Sequence, residues 1–141
     1  MIPKARPLTA TQQAFALRRD FPAATLRLKA GRLEWVGPLQ PTPLSRQYSV
    51  RLTYQQGRVP KVRVLDALET RNDKRLPHTY DDGTLCLYEA GQWNGHMWLA
   101  TSTIPWTSEW LVHYEVWLAT DDWYGGGVWP PGSGSLEKSS P

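Results

Sequence analysis

Gln47-Tyr48-Ser49-Val50-Arg51-Leu52-Thr53-Tyr54 is the stretch on which the reading of this fold turns. Its period of two sets Tyr48, Val50, Leu52 and Tyr54 on one face of a strand, with Ser49, Arg51 and Thr53 on the other. Clean alternation of this kind belongs to an antiparallel sheet with one buried and one wet face. Downstream, Arg58 to Leu65 repeats the strand signal through Val59, Val62 and Val64. Upstream, Leu26 and Leu28 alternate with Thr25, Arg27 and Lys29, and a second run from Arg32 to Gly37 follows Gly31, which predicts two strands joined at a glycine turn. Pro38, Pro41 and Pro43 are expected to break the ladder before Gln47. The result is a four-stranded antiparallel meander. Ahead of it, Thr9 to Arg19 reads as a helix capped by Thr9 or Thr11 and ended by Asp20-Phe21-Pro22. Phe15 and Leu17 are its apolar positions, and its arginines face water.

After the meander no period holds from Ala67 to about Ala100, and an irregular segment of that length inside a small domain is usually functional. Regularity returns where Trp106, Trp110, Leu111, Tyr114, Trp117 and Leu118 recur at three- and four-residue spacing. That spacing defines the buried face of a second helix, started by Pro105 and capped by Thr107 or Ser108, with Glu109, His113 and Glu115 turned to solvent. The fold class is therefore α+β: an N-terminal helix, a four-stranded antiparallel meander, an irregular segment and a C-terminal helix. A single domain is expected over residues 1–130, followed by a flexible tail over 131–141 whose glycine, serine and proline content cannot bury a core.

The 141 residues carry a net charge of +3, and their lysines and arginines are dispersed along the chain, which gives no support for direct nucleic-acid binding. No apolar run approaches the roughly 20 residues that cross a bilayer, so no membrane partner is expected. The first residues, Met1 to Arg6, do not lead into the apolar core of a signal peptide, and one cysteine makes no internal disulfide. A reducing cytoplasm is the expected location. The chain has eight tryptophans, most of them beyond residue 92, suited either to a ring-rich core or to an aromatic recognition surface.

The single cysteine, Cys86, lies within the irregular segment, in Pro77-His78-Thr79-Tyr80-Asp81-Asp82-Gly83-Thr84-Leu85-Cys86-Leu87-Tyr88. Taken alone, a thiol between two leucines reads first as packing. The order of elements around it changes that reading, because helix, meander, cysteine segment and helix together resemble the core of the ubiquitin-conjugating enzymes. Trp35 to Pro43 looks like that family's Gly-Pro and Thr-Pro connection, and Val59-Pro60-Lys61-Val62-Arg63-Val64 is similar to its proline-led strand. The segment from His78 to Leu87 resembles its His-Pro-Asn run leading into Cys-Leu, and Trp93 stands where a tryptophan follows the cysteine. Within the superfamily the chain is most similar to the bacterial conjugating-enzyme-like proteins of type II CBASS antiphage operons. Asp82-Gly83-Thr84-Leu85-Cys86-Leu87-Tyr88 and Trp106-Thr107-Ser108-Glu109-Trp110-Leu111 carry that likeness.

The resemblance implies that Cys86 accepts a protein C-terminus as a thioester and passes it to an amine, in support of antiphage defence. It implies as partner the operon's nucleotidyltransferase of the cyclic GMP-AMP synthase type, and it leaves open whether a separate activating enzyme takes part. Two departures stand out. Thr79 and Tyr80 follow His78 where the family carries its asparagine, and the chain holds one C-terminal helix where eukaryotic members continue with two more. The first departure bears on transfer to lysine, so the same fold also admits a binding module that holds the partner's tail without catalysis.

An ordinary thiol, with a pKa near about 8.5, is already reactive enough for such chemistry, and the oxyanion of acyl transfer calls for a positioned donor. In place of the asparagine the candidates are His78, Tyr80, and then Asn94 and His96. The His78 ring also admits a purely structural place, bonded to the loop backbone. Asp82, with Asp81, either orients an incoming lysine or forms the polar turn before Gly83. Trp93 and Trp98 flank the cysteine segment as walls of a site or as core, and Trp123, Tyr124 and Trp129 around the glycine run suit an exposed clamp for a partner. No cofactor is expected, since Cys86, His78 and His96 lack the paired ligand spacing of a zinc site. A cysteine hydrolase lacks an orienting acid at any fixed spacing, and a tryptophan-rich β domain for carbohydrate or peptide would need Trp106, Trp110 and Trp117 exposed.

Overall fold

The alternation at Tyr48 to Tyr54 is realised as an interior strand of the sheet in a computed structural model that describes residues 6–72 and 74–125. The elements run α1 (Ala10–Asp20), β1 (Thr25–Lys29), β2 (Arg32–Leu39), β3 (Tyr48–Gln55), β4 (Lys61–Val64) and α2 (Thr103–Thr120). The four strands pair in sequence order, each antiparallel to the next. Register makes the inner face continuous: Leu33 lies opposite Tyr54, Trp35 opposite Leu52 and Leu39 opposite Tyr48, and all six are buried. The outer face carries the alternate residues, polar but for Val36 and Pro38 of β2. The expected tail over 131–141 and Trp129 lie outside the described residues.

Two strand boundaries differ from expectation. β2 runs through Pro38, which pairs with Ser49, rather than stopping at Gly37. The physical reason is local: β1 begins at Thr25, opposite Val36, so beyond Val36 the strand has a neighbour on one side only, where a ladder tolerates a residue without an N–H. β4 is shorter than Arg58–Leu65, and Val59 is exposed outside it.

Helix α1 begins at a capping box in which the Thr9 hydroxyl accepts from Gln12 N–H and the Gln12 side chain accepts from Thr9 N–H. Gln13, Ala14 and Leu17 face the core, and Phe15, expected among the apolar positions, is 73% exposed because it lies on the far side of the helix from them. Helix α2 starts three residues before Trp106. Pro105 sits inside its first turn, where backbone amides have no intrahelical acceptor, and neither Thr107 nor Ser108 caps it. Its C-terminus closes at Asp121 in the left-handed region, with the Asp121 amide donating to Trp117 O and its carboxylate held by Lys74 at 2.8 Å. Glu115 is not solvated as expected. It accepts from Tyr48 Oη and Ser45 Oγ, each at 2.7 Å, and so fixes α2 across the start of β3.

Between β4 and α2 the described residues form no helix or strand beyond a single bridge between Thr79 and Leu85. This segment is held by anchors along its length. Tyr114 Oη donates to Glu69 O at 2.8 Å, and the fully buried Gln13 donates to Met97 O and accepts from Leu99 N–H, both at 2.8 Å. Leu85, Trp93 and Leu99 join the common core with the inner sheet face and both helices.

Candidate functional site

The cysteine segment folds back on itself between His78 and Cys86. Tyr80 N–H donates to Thr84 O and Gly83 N–H to Tyr80 O, closing a turn around Asp81 and Asp82. Asp82 Oδ1 accepts from both the amide and the hydroxyl of Thr84, at 2.9 and 2.6 Å, which is how a short carboxylate builds a turn from its own side chain. Gly83 adopts φ +87, and the Arg63 guanidinium, which donates to Asp82 O, fills the space that a Cβ there would need. Asp81 is exposed and paired with Arg75 at 2.9 Å. Asp82 is thus the shaping residue of this turn.

The two arms of the turn are then locked. Leu85 N–H donates to Val62 O of β4, tying the segment to the sheet, and Cys86 N–H donates to His78 O at 2.8 Å. The same carbonyl accepts from the Trp110 indole at 3.1 Å, so α2 and the cysteine are bonded to one backbone oxygen. His78 holds a left-handed backbone (φ 49), a conformation a non-glycine residue keeps only when its surroundings impose it. Its ring is buried and stacked on Trp123, with centroids 4.9 Å apart.

Cys86 itself is half-buried. Its Sγ lies 3.8 Å from Tyr88 O. Interaction with the neighbouring Cys86 first, then partial burial, pushes the Tyr80 phenol up to about 12, so Tyr80 stays protonated beside the thiol and is not a base. Burial first, then the neighbouring Tyr80 and Cys86, likewise pushes Tyr88 up to about 12. On one side of the cysteine strip runs a groove of about 690 Å³ walled by Pro60, Lys61, Tyr80, Leu85, Leu87 and Tyr88. On the other lies a smaller cleft of about 120 Å³ bounded by Cys86, His78, Leu87, Glu109, His113 and Trp123. Leu87 belongs to both.

Of the residues expected at the site, the fold brings Cys86, His78, Tyr80 and Asp82 together within one turn. Trp93, Asn94 and His96 line neither of the two clefts. Trp93 is buried edge-on against Tyr54 in the core, with centroids 5.5 Å apart, and Asn94 accepts from His96 N–H within a separate exposed turn. Trp98 is 40% exposed beside Phe15 in a third depression. Trp123 is not part of an exposed clamp: it is buried against His78, Trp110 and His113, whereas Tyr124 is exposed. Three participants were not expected at the site. Trp110 bonds the His78 carbonyl, and Glu109 and His113 line the smaller cleft. Helical periodicity marks Trp110 only as core and the other two only as off-face, and no local motif signals their contact with residue 78 or 86.

Among the described residues no helix is long and apolar enough to cross a membrane. A family model described as E2-CBASS, type II CBASS E2 protein, matches residues 13–130. Comparison with curated proteins finds no match.

Proposed function

The chain belongs to the type II CBASS E2 protein family, and from that premise we propose that Cys86 carries a protein C-terminus as a thioester and passes it to an amine. The delivered protein is the operon's nucleotidyltransferase of the cyclic GMP-AMP synthase type. The observation that carries the reading is a half-buried Cys86 that borders the smaller cleft, its amide fixed to the His78 carbonyl, beside a groove that Tyr80 and Leu87 wall. In the loading step the Cys86 thiolate attacks the carbonyl of an activated acyl donor, either a thioester or an acyl adenylate. A C–S bond forms, and the donor's thiolate or AMP leaves with the electron pair. In the transfer step an amine attacks the thioester carbonyl, a C–N bond forms, the C–S bond breaks, and the amine's proton passes to solvent or to Glu109 at the rim.

Tyr80 serves both steps as a hydrogen-bond donor, first to the thiolate and then to the oxyanion, in the place the family gives to asparagine. His78 acts through its carbonyl, which orients Cys86, and so is a positioning residue. The open apolar groove suits an extended tail, and the smaller cleft, with its carboxylate and imidazole, suits the incoming amine. The protein is co-expressed with the nucleotidyltransferase and any activating enzyme of the operon, then run on a non-reducing gel. Wild type is expected to give an adduct cleaved by neutral hydroxylamine, which spares disulfides, and Cys86→Ala to give none. An identical non-covalent complex in both, with no adduct, would sink the catalytic reading in favour of a module that holds the tail.

A further inference from the structure

The smaller cleft has in its wall a polar group that the fold leaves unused. Trp123 is only 7% exposed, and among the described residues its indole Nε1 donates to nothing. An indole N–H is a donor only, so what satisfies it is an acceptor brought to it. A buried donor without a partner destabilises a fold, and native structures keep few of them. Packing alone does not call for this one. The ring stacks on His78 with centroids 4.9 Å apart and meets Trp110 and His113 at 5.6 Å, contacts that a phenyl ring would also supply. The N–H edge lies toward the cleft: a Cβ on Gly125 would stand 2.8 Å from Nε1 and 2.7 Å from His113 Cδ2, and Trp123, Gly125 and His113 all line that cleft. A side chain at 125 would press on both rings, and glycine spares the indole edge.

Cys86 borders the same cleft, whereas its neighbours Leu85 and Leu87 wall the larger groove. An acyl group on the sulfur can therefore turn its carbonyl into the smaller cleft. At about 120 Å³, room for about four waters, the cleft admits a carbonyl and an attacking amine and little more. The neighbouring Trp110 indole is already engaged with the His78 carbonyl. Glu109, also in the lining, repels a free anion, which favours an oxygen that arrives neutral and gains charge only during reaction. We infer that Trp123 is a catalytic residue of acyl transfer at Cys86, its indole N–H donating to the thioester carbonyl and to the oxyanion that this carbonyl becomes. The inference rests on the proposed thioester, and it adds a donor in the cleft to the Tyr80 hydroxyl in the groove. As the amine's lone pair forms the C–N bond, the carbonyl π electrons move to oxygen, and Trp123 donates a hydrogen bond without giving up its proton. The electrons then re-form the C=O bond, the C–S bond breaks, the Cys86 thiolate leaves, and the amine's proton passes out as in the step above.

The test loads Cys86 from the thiophenyl ester of N-acetylglycine, which transfers its acyl group to the sulfur and releases thiophenolate. No nucleotidyltransferase or activating enzyme takes part, so the result is independent of the partner, which the gel above judges separately. Trp123→Phe keeps a ring against His78 and His113 and removes the donor. Single-turnover aminolysis of its acyl-enzyme by glycinamide is expected to be slower than that of wild type by about 10²–10³-fold. Its urea midpoint is expected to stay close to wild type, because loss of an unpaired buried donor offsets the lost ring volume. In wild type the indole N–H resonance of Trp123, assigned by through-bond NMR, is expected to move downfield on acylation as it gains an acceptor, a readout that stands even where the variant folds poorly. Unchanged aminolysis in Trp123→Phe, or an indole resonance that stays in place when Cys86 is acylated, would each overturn the inference.

Discussion

The Trp110 indole donates to the carbonyl of His78 at 3.1 Å, and that carbonyl is also the acceptor for the amide of Cys86. A residue of α2 thereby sets the position of the nucleophile through one shared backbone oxygen. Trp110→Phe keeps much of the ring and removes the donor. It is expected to lower stability by about 1–2 kcal/mol, measured by urea unfolding, and to slow adduct formation at Cys86 beyond what the lost stability explains. His78→Ala keeps the carbonyl and loses the stack on Trp123. Its stability is expected to fall while the alkylation rate of Cys86 changes by less than about threefold, since the carbonyl still orients the thiol. A rate loss comparable to Cys86→Ala would return the imidazole to the chemistry.

Tyr80→Phe separates the two steps. The phenol neighbours the thiol as a protonated hydroxyl, and loss of one such donor to a developing oxyanion costs about 10²–10³ in rate. Transfer of a preloaded acyl group to an amine is expected to slow by that order, with loading less affected. Because the phenol is pushed up to about 12, it stays protonated through the working range. Wild type and Tyr80→Phe are therefore expected to share one shape of pH–rate profile between pH 6 and about 10, offset in height, as measured by single-turnover transfer. A limb present in wild type and missing from Tyr80→Phe would mean that the phenol titrates in the reaction.

Much of the fold was legible because its signals are periodic. Alternation in Tyr48 to Tyr54 and the three- and four-residue spacing from Trp106 specify burial directly: Tyr48, Val50, Leu52 and Tyr54 are buried, as are Trp110, Leu111, Tyr114 and Trp117, while Trp106 and Leu118 at the two ends of the helical face are half-buried. What was not legible depends on contacts distant in sequence. Glu115 is an off-face residue by period, and only the docking of α2 over Tyr48 and Ser45 gives it partners. Trp123 follows the helix at a glycine run, and its burial depends on His78, 45 positions earlier. At the site, the turn signal in Asp81-Asp82-Gly83 and the cysteine could be read locally. The bond from Trp110 to the His78 carbonyl could not, because helical spacing marks Trp110 only as core and says nothing of a partner 32 positions earlier.

The tyrosines predict an alkaline limit to stability. Burial pushes Tyr88 up to about 12, and burial together with the Glu115 carboxylate raises Tyr48 further. A raised folded-state value means that the folded protein holds these protons more tightly than the unfolded chain, whose tyrosines titrate near about 10. Their contribution is fully present below pH 10 and is lost as pH rises through the folded values. Unfolding free energy by urea is expected to fall between pH 10 and 12, and Tyr88→Phe to reduce the slope. An equal slope in the variant would remove Tyr88 from the cause.

Gln13 tests whether the cysteine segment is braced from α1. Its side chain is fully buried, donates to Met97 O and accepts from Leu99 N–H, and so satisfies two backbone groups that a segment without regular structure cannot pair by itself. Gln13→Leu nearly conserves volume and leaves both groups without these bonds. A buried polar group left unsatisfied costs about 1–3 kcal/mol, so with two such groups the variant is expected to lose about 2–6 kcal/mol of stability by urea unfolding. Hydrogen exchange localises the effect. The amide of Leu99 is expected to lose protection first, well before the amides of β3, since its acceptor is removed while the sheet keeps its own ladder. Uniform loss across Leu99 and β3 would show instead that Gln13 supports the whole core and not the segment alone.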